Sequence, residues 1–205
     1  MAPRAYLRPE ERRRQLLAAA SRLFDYGGFG AITMSAVAAE AGASRRLVYD
    51  HFADLGALYE AFFAERVARY VATIDGASAP AAVGAGRSIE GAVRELLAVP
   101  AEDLRAIHLL LADQATPELA PARGALRAHL QARWLPALRP LGVEADVAGA
   151  LLWTLASSFV TLAELAHRGE LAPASAESLA GAIVATLPDL VGRLSTEPRL
   201  ASEPS

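Results

Sequence analysis

The segment from Thr33 to Phe52 constrains the fold of this chain more than any other part of its 205 residues. Its apolar residues recur at helical spacing on both sides of Gly42, which predicts two short helices joined by a tight turn. Glycine suits such a reversal because it adopts positive φ without a Cβ clash. The inward face of the second helix is formed by Leu47 or Val48 together with Phe52. The pattern favours a helix-turn-helix, although an ordinary helical hairpin with a charged, solvated face has the same spacing.

Hydroxyl and basic side chains lie at both ends of this second helix. Thr33 or Ser35 can cap the first helix and Ser44 the second, because a hydroxyl accepts a backbone N–H that has no partner at a helix start. Two arginines in the first turn and polar residues at the far end suit a helix that enters a DNA major groove and holds the backbone. The predicted DNA-contacting residues are Thr33, Ser44, Arg45, Arg46, Leu47, Tyr49 and His51.

These residues have different expected roles. Arg45 and Arg46 would reach guanine edges or phosphates, and Leu47, if it faces outward, could touch a thymine methyl. Tyr49 and His51 would hold phosphates. Thr33 and the arginines that precede Gln15 would assist them.

Helical patterns flank the segment on both sides. Apolar residues at helical spacing predict an amphipathic helix from Pro9 to Tyr26, which a glycine-rich stretch at 27–30 ends. Asp54 can cap a long helix that continues to about Asp75. The three helices before Asp54 would form a small DNA-binding head.

On these residues the chain resembles the TetR family of bacterial transcriptional regulators. The resemblance rests on Arg12–Ala20, Leu23-Phe24, Gly28-Phe29, Ile32-Thr33, Val37-Ala38, Ala41–Ser44 and Val48–Phe52. It implies a homodimeric repressor that binds a palindromic operator in double-stranded DNA and leaves it when a small molecule binds the helical body. Two residues depart from the family pattern: Leu55 replaces a usual phosphate-contacting lysine, and Arg46 replaces a usual small residue. We therefore expect this head to contact DNA in its own way.

The charge distribution fits a DNA-binding head, although the whole chain has a formal net charge of −3. Residues 1–52 contain eight arginines and five acidic residues, whereas the remainder carries 12 basic and 18 acidic residues. The head is thus basic and the body acidic, a typical asymmetry for a nucleic-acid surface. All 20 basic residues are arginine, so charged phosphate contacts would come from guanidinium groups or histidine.

The remaining pattern predicts an all-α fold, with a three-helix helix-turn-helix head followed by a six-helix regulatory and dimerisation body. The predicted domains are 1–53 for DNA binding and 54–196 for ligand binding and dimerisation, with a disordered tail at 197–205. A Gly/Ala/Pro linker is expected at 76–86. Helices are expected at 88–97, 102–114 and 116–135, with Pro136 and Pro140 kinking or ending the third. Two more are expected at 144–168 and 175–194, the last kinked at Pro188.

The uncharged run from Val147 to Ala163 requires a membrane test. A spanning helix needs about 20 mostly apolar residues, whereas this run is shorter and includes four hydroxyl residues. We therefore predict no membrane span, and a helix buried on nearly all sides. Such a helix would pack against its own core and a second copy, giving a homodimer through helices near 144–168 and 175–194. The N-terminus lacks an apolar signal region, which predicts a cytoplasmic protein.

Catalytic and metal-binding motifs are missing from the sequence. The four histidines form no metal-binding spacing, and there is no Gly-x-Ser-x-Gly elbow. The run Gly84–Gly86 is followed by Arg87 instead of the lysine of a phosphate loop. Because the chain has no cysteine, disulfides and thiolate sites are excluded. We predict that the chain is not an enzyme and uses neither cofactor nor metal.

A mostly apolar ligand site is a further expectation from the resemblance, with one cation from Arg66 or Arg105. Aromatic walls with a few polar groups suit small molecules, but each such residue could equally be core packing. His108 in particular could be a partly buried histidine with one hydrogen bond. The candidates are Phe62, Phe63, Arg66, Tyr70, His108, Trp134, Trp153, Ser157 and Phe159.

Two alternatives to a ligand-released repressor remain. The chain could be a DNA-binding regulator without a small-molecule effector. It could also be an apolar-ligand-binding helical protein with a degenerate head, an alternative that Leu55 and Gly56 support.

Overall fold

The computed structural model describes residues 8–76, 94–112, 117–138 and 142–196. Within these ranges the chain forms α-helices and no strand, so the predicted all-α fold class is confirmed. The helices are α1 (Pro9–Gly27), α2 (Met34–Glu40), α3 (Arg45–His51), α4 (Leu55–Gly76), α5 (Ala101–Leu111), α6 (Ala120–Leu138), α7 (Ala145–His167) and α8 (Pro173–Thr196). Short 3-10 turns, Phe29–Ala31 and Pro117–Leu119, precede α2 and α6.

Several predicted segments lie outside the described residues. They are 77–86 of the linker, 88–93 of the helix after it, 113–114 at the end of the helix predicted at 102–114, residue 116 before α6, Pro140, and the tail 197–205. Residues 94–96, which end the helix predicted at 88–97, are helical.

Local signals set the ends of α1 and α4. Pro9 is the first residue of α1, and the N–H of Arg8 donates to the Glu11 carboxylate at 3.1 Å. Gly28 follows α1 with φ of 72°, a conformation that glycine adopts without strain. At the start of α4, the Asp54 carboxylate accepts the Ala57 N–H at 2.8 Å, as the predicted cap requires.

The described residues form two compact units, and α4 extends from the first into the second. The first contains residues up to 66 together with 117–122, and the second contains 67–112 and 123–196 in their described parts. The core of the first unit is apolar residues of α1, α2 and α3 with an aromatic group from α1 and α4. Its buried members include Leu16, Ala20, Phe24, Val37, Val48, Phe52, Phe62 and Phe63.

The second unit is built on α5, α7 and α8. Leu104, Ile107 and Leu110 of α5 are fully buried, and α5 packs against α7, which in turn packs against α8. The prediction that Pro136 ends or kinks its helix is wrong about the end, because α6 continues to Leu138. Helix α8 likewise continues through Pro188 to Thr196. Both prolines are themselves exposed.

Helices α7 and α8 are both long and apolar, which bears on the expectation that the chain has no membrane span. By length and composition alone, residues 145–167 and 173–192 could each cross a membrane, with mean hydropathy of 1.4 and 1.2. The length of the uncharged run at 147–163 therefore does not exclude a span, since the helix that contains it has 23 residues. Only 33% of its most apolar window is buried within the chain, so α7 is not enclosed on nearly all sides by its own chain. Core helices of soluble proteins have the same length and composition, so this test alone is weak support for a membrane span.

Candidate nucleic-acid interface

Helices α2 and α3 each contain seven residues and are capped by hydroxyl groups. The Thr33 hydroxyl accepts the Ala36 N–H at 3.1 Å, and the Ser44 hydroxyl accepts the Leu47 N–H at 3.2 Å. Gly42 lies between the helices with φ of 61°. The tight turn expected at Gly42 is therefore present, and of the two capping candidates for α2 the structure selects Thr33.

The inward face of α3 is formed by Val48 and Phe52. Val48 has no exposed surface and Phe52 is 2% exposed, whereas Leu47 is half-buried. The sequence left Leu47 and Val48 as alternatives because the two differ by one position in a short helix. The structure gives the core position to Val48 and leaves Leu47 at the edge of the outward face.

The outward face of α3 carries the predicted recognition residues. Arg45 and Arg46 occupy the first turn and are exposed, and Tyr49 is 46% exposed one turn later. His51 is half-buried at the end of the helix. The seven residues predicted to contact DNA thus all lie in the helix-turn-helix, with two guanidinium groups at the start of its second helix. Asp50 is also exposed there, an acidic residue that the sequence pattern did not single out.

Side chains of α1 hold the ends of both short helices, which the sequence did not predict. Arg13 donates from Nη1 to the His51 carbonyl at 3.0 Å, and its guanidinium lies 4.4 Å from the centre of the Phe52 ring. Gln15 donates to the Ala41 carbonyl at 3.1 Å and accepts from Arg12 at 2.6 Å. Arg12 and Arg13, expected to assist phosphate binding, thus also bind protein groups. No short-range pattern could reveal contacts between residues 26 and 38 positions apart.

Three of the residues predicted to bind ligand lie in the first unit. Phe63 packs edge-on against Phe62 and against Phe24 of α1, and Phe62 packs at a tilt against Phe24, with ring centres 4.9–6.1 Å apart. The Arg66 guanidinium lies 5.8 and 5.1 Å from the rings of Phe24 and Phe62 and binds Asp25 at 3.1 Å. Its side chain is 2% exposed. The burial of these three side chains is explained by packing between α1 and α4.

The other six candidates lie in the second unit. His108 of α5 and Glu164 of α7 are joined by a 2.5 Å hydrogen bond, which agrees with a partly buried histidine holding one partner. Trp153 of α7 donates to the Leu111 carbonyl at 3.2 Å, and Arg127 lies over its ring at 4.6 Å.

The remaining four differ in burial. Burial raises the pKa of the Tyr70 hydroxyl above its usual value, so this group stays neutral. Phe159 is buried, while Trp134 and Ser157 are half-buried. Within the described ranges, His, Asp and Glu side chains form no group of three or more able to hold a metal ion.

Comparisons with known proteins agree with this architecture. Residues 16–62 match the family model for bacterial regulatory proteins of the tetR family. A TetR-like transcriptional regulator from Rhodococcus sp. RHA1 superposes with a TM-score of 0.64 at 19% identity, covering 96% of this chain and 100% of that one. A second Rhodococcus regulator gives 0.68 at 18% identity, with 85% and 95% covered. GusR from Salmonella enterica gives 0.62 at 18% identity, with 89% and 100% covered. Comparison with curated proteins gives no match.

The fold and the capped helix pair are those of helix-turn-helix transcriptional regulators. The identity to the solved structures is low, so these structures establish the fold alone. The family model adds a finer statement. The N-terminal domain, across residues 16–62, is that of the tetR family, so the resemblance to this family that the sequence indicated is confirmed. Proteins of this family are regulators and not enzymes, as the sequence also predicts for this chain.

Proposed function

We propose that the chain is a homodimeric repressor that binds a palindromic operator in double-stranded DNA and is released from it by a small, mostly apolar ligand. The observation that carries the DNA-binding part is the orientation of α3 within the matched domain. Val48 and Phe52 fix its inward face, while Arg45 and Arg46 are exposed in its first turn. Guanidinium groups so placed can form paired hydrogen bonds with guanine in a major groove.

The charge distribution favours two heads over one. Residues 1–52 carry an excess of three positive charges, and the remainder of the chain is acidic. A single head of that charge would neutralise few phosphates and bind weakly at physiological salt. Pairing two heads doubles the phosphate contacts and suits half-sites about one helical turn apart or a little more.

The apolar faces of α7 and α8 support the dimer. Six residues of α7 that are not buried recur at alternating spacings of four and three, the pattern of a helix-packing seam. They are Val147, Leu151, Thr154, Ser158, Thr161 and Leu165. On α8 a matching row contains Leu179, Ile183, Thr186 and Leu190, in which both leucines are 47% exposed. We propose that these two rows pair with those of a second copy, close to the segments 144–168 and 175–194.

The hydroxyl groups in this face are compatible with burial between two copies. Thr154, Ser158 and Thr161 each donate to the backbone carbonyl four residues earlier at 2.9 Å. Because these donors already have partners within α7, a dry helix contact would leave none of the three unsatisfied. The same internal bonding would also suit a lipid-facing helix, but the neighbouring α8 and the regulator fold favour a second protein chain.

The effector site we propose lies in the second unit. Tyr70, His108, Trp134, Trp153, Ser157 and Phe159 would line it, which fits a mostly apolar molecule with one or two hydrogen bonds. His108 is the polar group that we expect to orient the ligand, since Glu164 holds its Nδ1 and leaves Nε2 for another partner. Phe62, Phe63 and Arg66 would act indirectly, by joining α4 to the head.

The functional boundaries follow the predicted ones. We propose a DNA-binding domain at 1–53 and a ligand-binding and dimerisation domain at 54–196. Regulators of this family work on cytoplasmic DNA, and we propose the same location for this protein.

DNA selection from a random-sequence library tests the proposal and identifies the operator in the same experiment. The purified full chain is incubated with the library of duplexes, and bound DNA is sequenced. We expect a palindromic consensus, and we expect Arg45→Ala to relax preference by about 1–3 kcal/mol at one base pair of each half-site. Uniform weakening over all sequences would instead assign Arg45 to the DNA backbone. Selection of no consensus would reject the repressor.

A further inference from the structure

We propose that Arg13 is a positioning residue for DNA recognition. From α1 it fixes the C-terminal end of α3, and so sets the angle at which Arg45 and Arg46 meet the bases. The inference rests on the proposed function, because it assigns a role in the same DNA-binding surface. It differs from a phosphate contact, the role that the sequence alone assigns to the arginines before Gln15.

Helix α3 requires external support because it is short. With seven residues it is well below the length at which helices are stable alone in water, about 12–15 residues. Val48 is its only buried residue, and Phe52 follows it as a second buried group. Two buried side chains one turn apart on one face leave the helix able to tilt about the line that joins them. Base recognition, in contrast, requires side chains to be held within about 0.5 Å.

Arg13 supplies a third, separate anchor at the far end. Its Nη1 donates to the carbonyl of His51, the last residue of α3, at 3.0 Å. Carbonyls in the last turn of a helix have no partner within the helix and carry partial negative charge, so a guanidinium is well suited to bind them. The same group lies 4.4 Å from the centre of the Phe52 ring, a cation–π distance. One side chain therefore fixes both the end of α3 and the residue that follows it.

Together with Ser44, this contact holds α3 at both ends. The Ser44 hydroxyl binds the Leu47 N–H at the start of the helix, and Arg13 binds the last carbonyl. Helix α1 also contacts the end of α2, since Gln15 donates to the carbonyl of Ala41, the residue that follows α2. The same stretch of α1 thus sets the ends of both helices of the DNA-binding motif.

A direct phosphate contact is the competing role for Arg13, because the side chain is exposed. It lines an open cleft of about 380 Å³ with His51, Ala53 and Ala57. Glu60 lies in the same cleft, and its carboxylate would oppose a phosphate there. The bond to the His51 carbonyl and the contact with Phe52 also occupy one nitrogen and one face of the guanidinium. Both features favour positioning over phosphate binding.

The test compares Arg13→Ala with Arg14→Ala, a matched control. Arg14 is the neighbouring exposed arginine, so both variants lose one positive charge per head. The probes are the consensus duplex selected by the wild-type chain and a scrambled duplex, each titrated over a range of salt concentrations. We expect Arg13→Ala to weaken consensus binding roughly fivefold per head beyond the control, the worth of one hydrogen bond. Binding of the scrambled duplex by Arg13→Ala and the salt dependence of that binding should match those of the wild-type chain.

Three outcomes would overturn the inference. If Arg13 touches a phosphate, its loss weakens binding of both duplexes alike and lowers the salt slope by about 0.9 per head relative to the wild-type chain. If it only stabilises the fold, melting temperature and the active fraction fall while the consensus-to-scrambled ratio is unchanged. If charge alone suffices, Arg13→Lys behaves like wild type. We expect instead that Arg13→Lys has a lower consensus-to-scrambled binding ratio than wild type, because an ammonium has no planar face. A wild-type chain that selects no consensus would reject the proposed function itself, and the inference with it.

Discussion

Arg66 shows how one charged side chain can stabilise an apolar region. Its side chain is 2% exposed, yet its guanidinium lies near two aromatic rings, those of Phe24 and Phe62, and binds the Asp25 carboxylate at 3.1 Å. A buried cation would be costly without such partners, so the ion pair and the rings together make the position tolerable. The family resemblance suggested a ligand-binding cation at Arg66 or Arg105. The pairing of Arg66 with Asp25 could not be predicted, because Asp25 lies 41 positions earlier.

Replacing Arg66 with methionine should destabilise the chain by about 2 kcal/mol, the range of a hydrogen bond to a charged group. Methionine retains apolar volume beside the rings, and Asp25, which is 31% exposed, remains hydrated. The control is Arg22→Met, which breaks the Arg22–Glu40 pair whose side chains are 49% and 36% exposed. Exposed pairs contribute about 0–1 kcal/mol. Equal losses in urea-unfolding free energy for the two variants would show that burial of Arg66 has no such effect.

At the scale of elements, the helix boundaries that depend on local chemistry could be predicted from the sequence. The expected span Pro9–Tyr26 ends one residue short of α1, because Pro9 and Gly28 act on their own neighbours. The Asp54 cap of α4 is also local. The continuation of α6 past Pro136 could not be predicted, since a proline in a helix is tolerated only where surrounding packing offsets its lost hydrogen bond. The contacts of Arg13 with His51 and Phe52 could not be predicted either, because these partners are distant from it in sequence.

The turn between α2 and α3 gives a prediction about a single backbone conformation. Gly42 has φ of 61°, and a Cβ built there would meet no heavy atom within 4 Å. Gly42→Ala should therefore cost about 1 kcal/mol through backbone strain alone, lowering Tm by about 2–4 °C.

Gly30→Ala is the control for this turn variant. A Cβ at Gly30 also meets open space, and its φ is not positive. Thermal unfolding followed by circular dichroism should show Gly30→Ala unchanged or slightly more stable. If both variants melt alike, the positive φ at Gly42 is not what constrains the turn.

At the scale of the whole molecule, the head was easier to predict than the body. The helix-turn-helix depends on capping, a glycine turn and a short apolar face, which all lie within about 45 residues of matched sequence. The body depends on contacts among α5, α7 and α8 and on faces that the chain leaves open. The sequence showed that the α7 run is apolar, but an apolar composition does not say whether the same chain or a second one covers it.

The proposed homodimer predicts that a charge on the open row of α8 separates the two copies. Leu179→Glu would place a carboxylate in the interface, and a two-fold interface contains each residue twice. Burying an unpaired carboxylate should cost about 2 kcal/mol or more of association free energy per copy. With two copies in the interface, dimer affinity should therefore fall roughly a thousandfold. The matched control is Ala185→Glu, an exposed position away from the row on the same helix. Sedimentation at several concentrations should give monomers for the first variant and dimers for the control, with weaker consensus binding and a shallower salt dependence only for the first. The same assembly state for both variants would contradict an interface at this face.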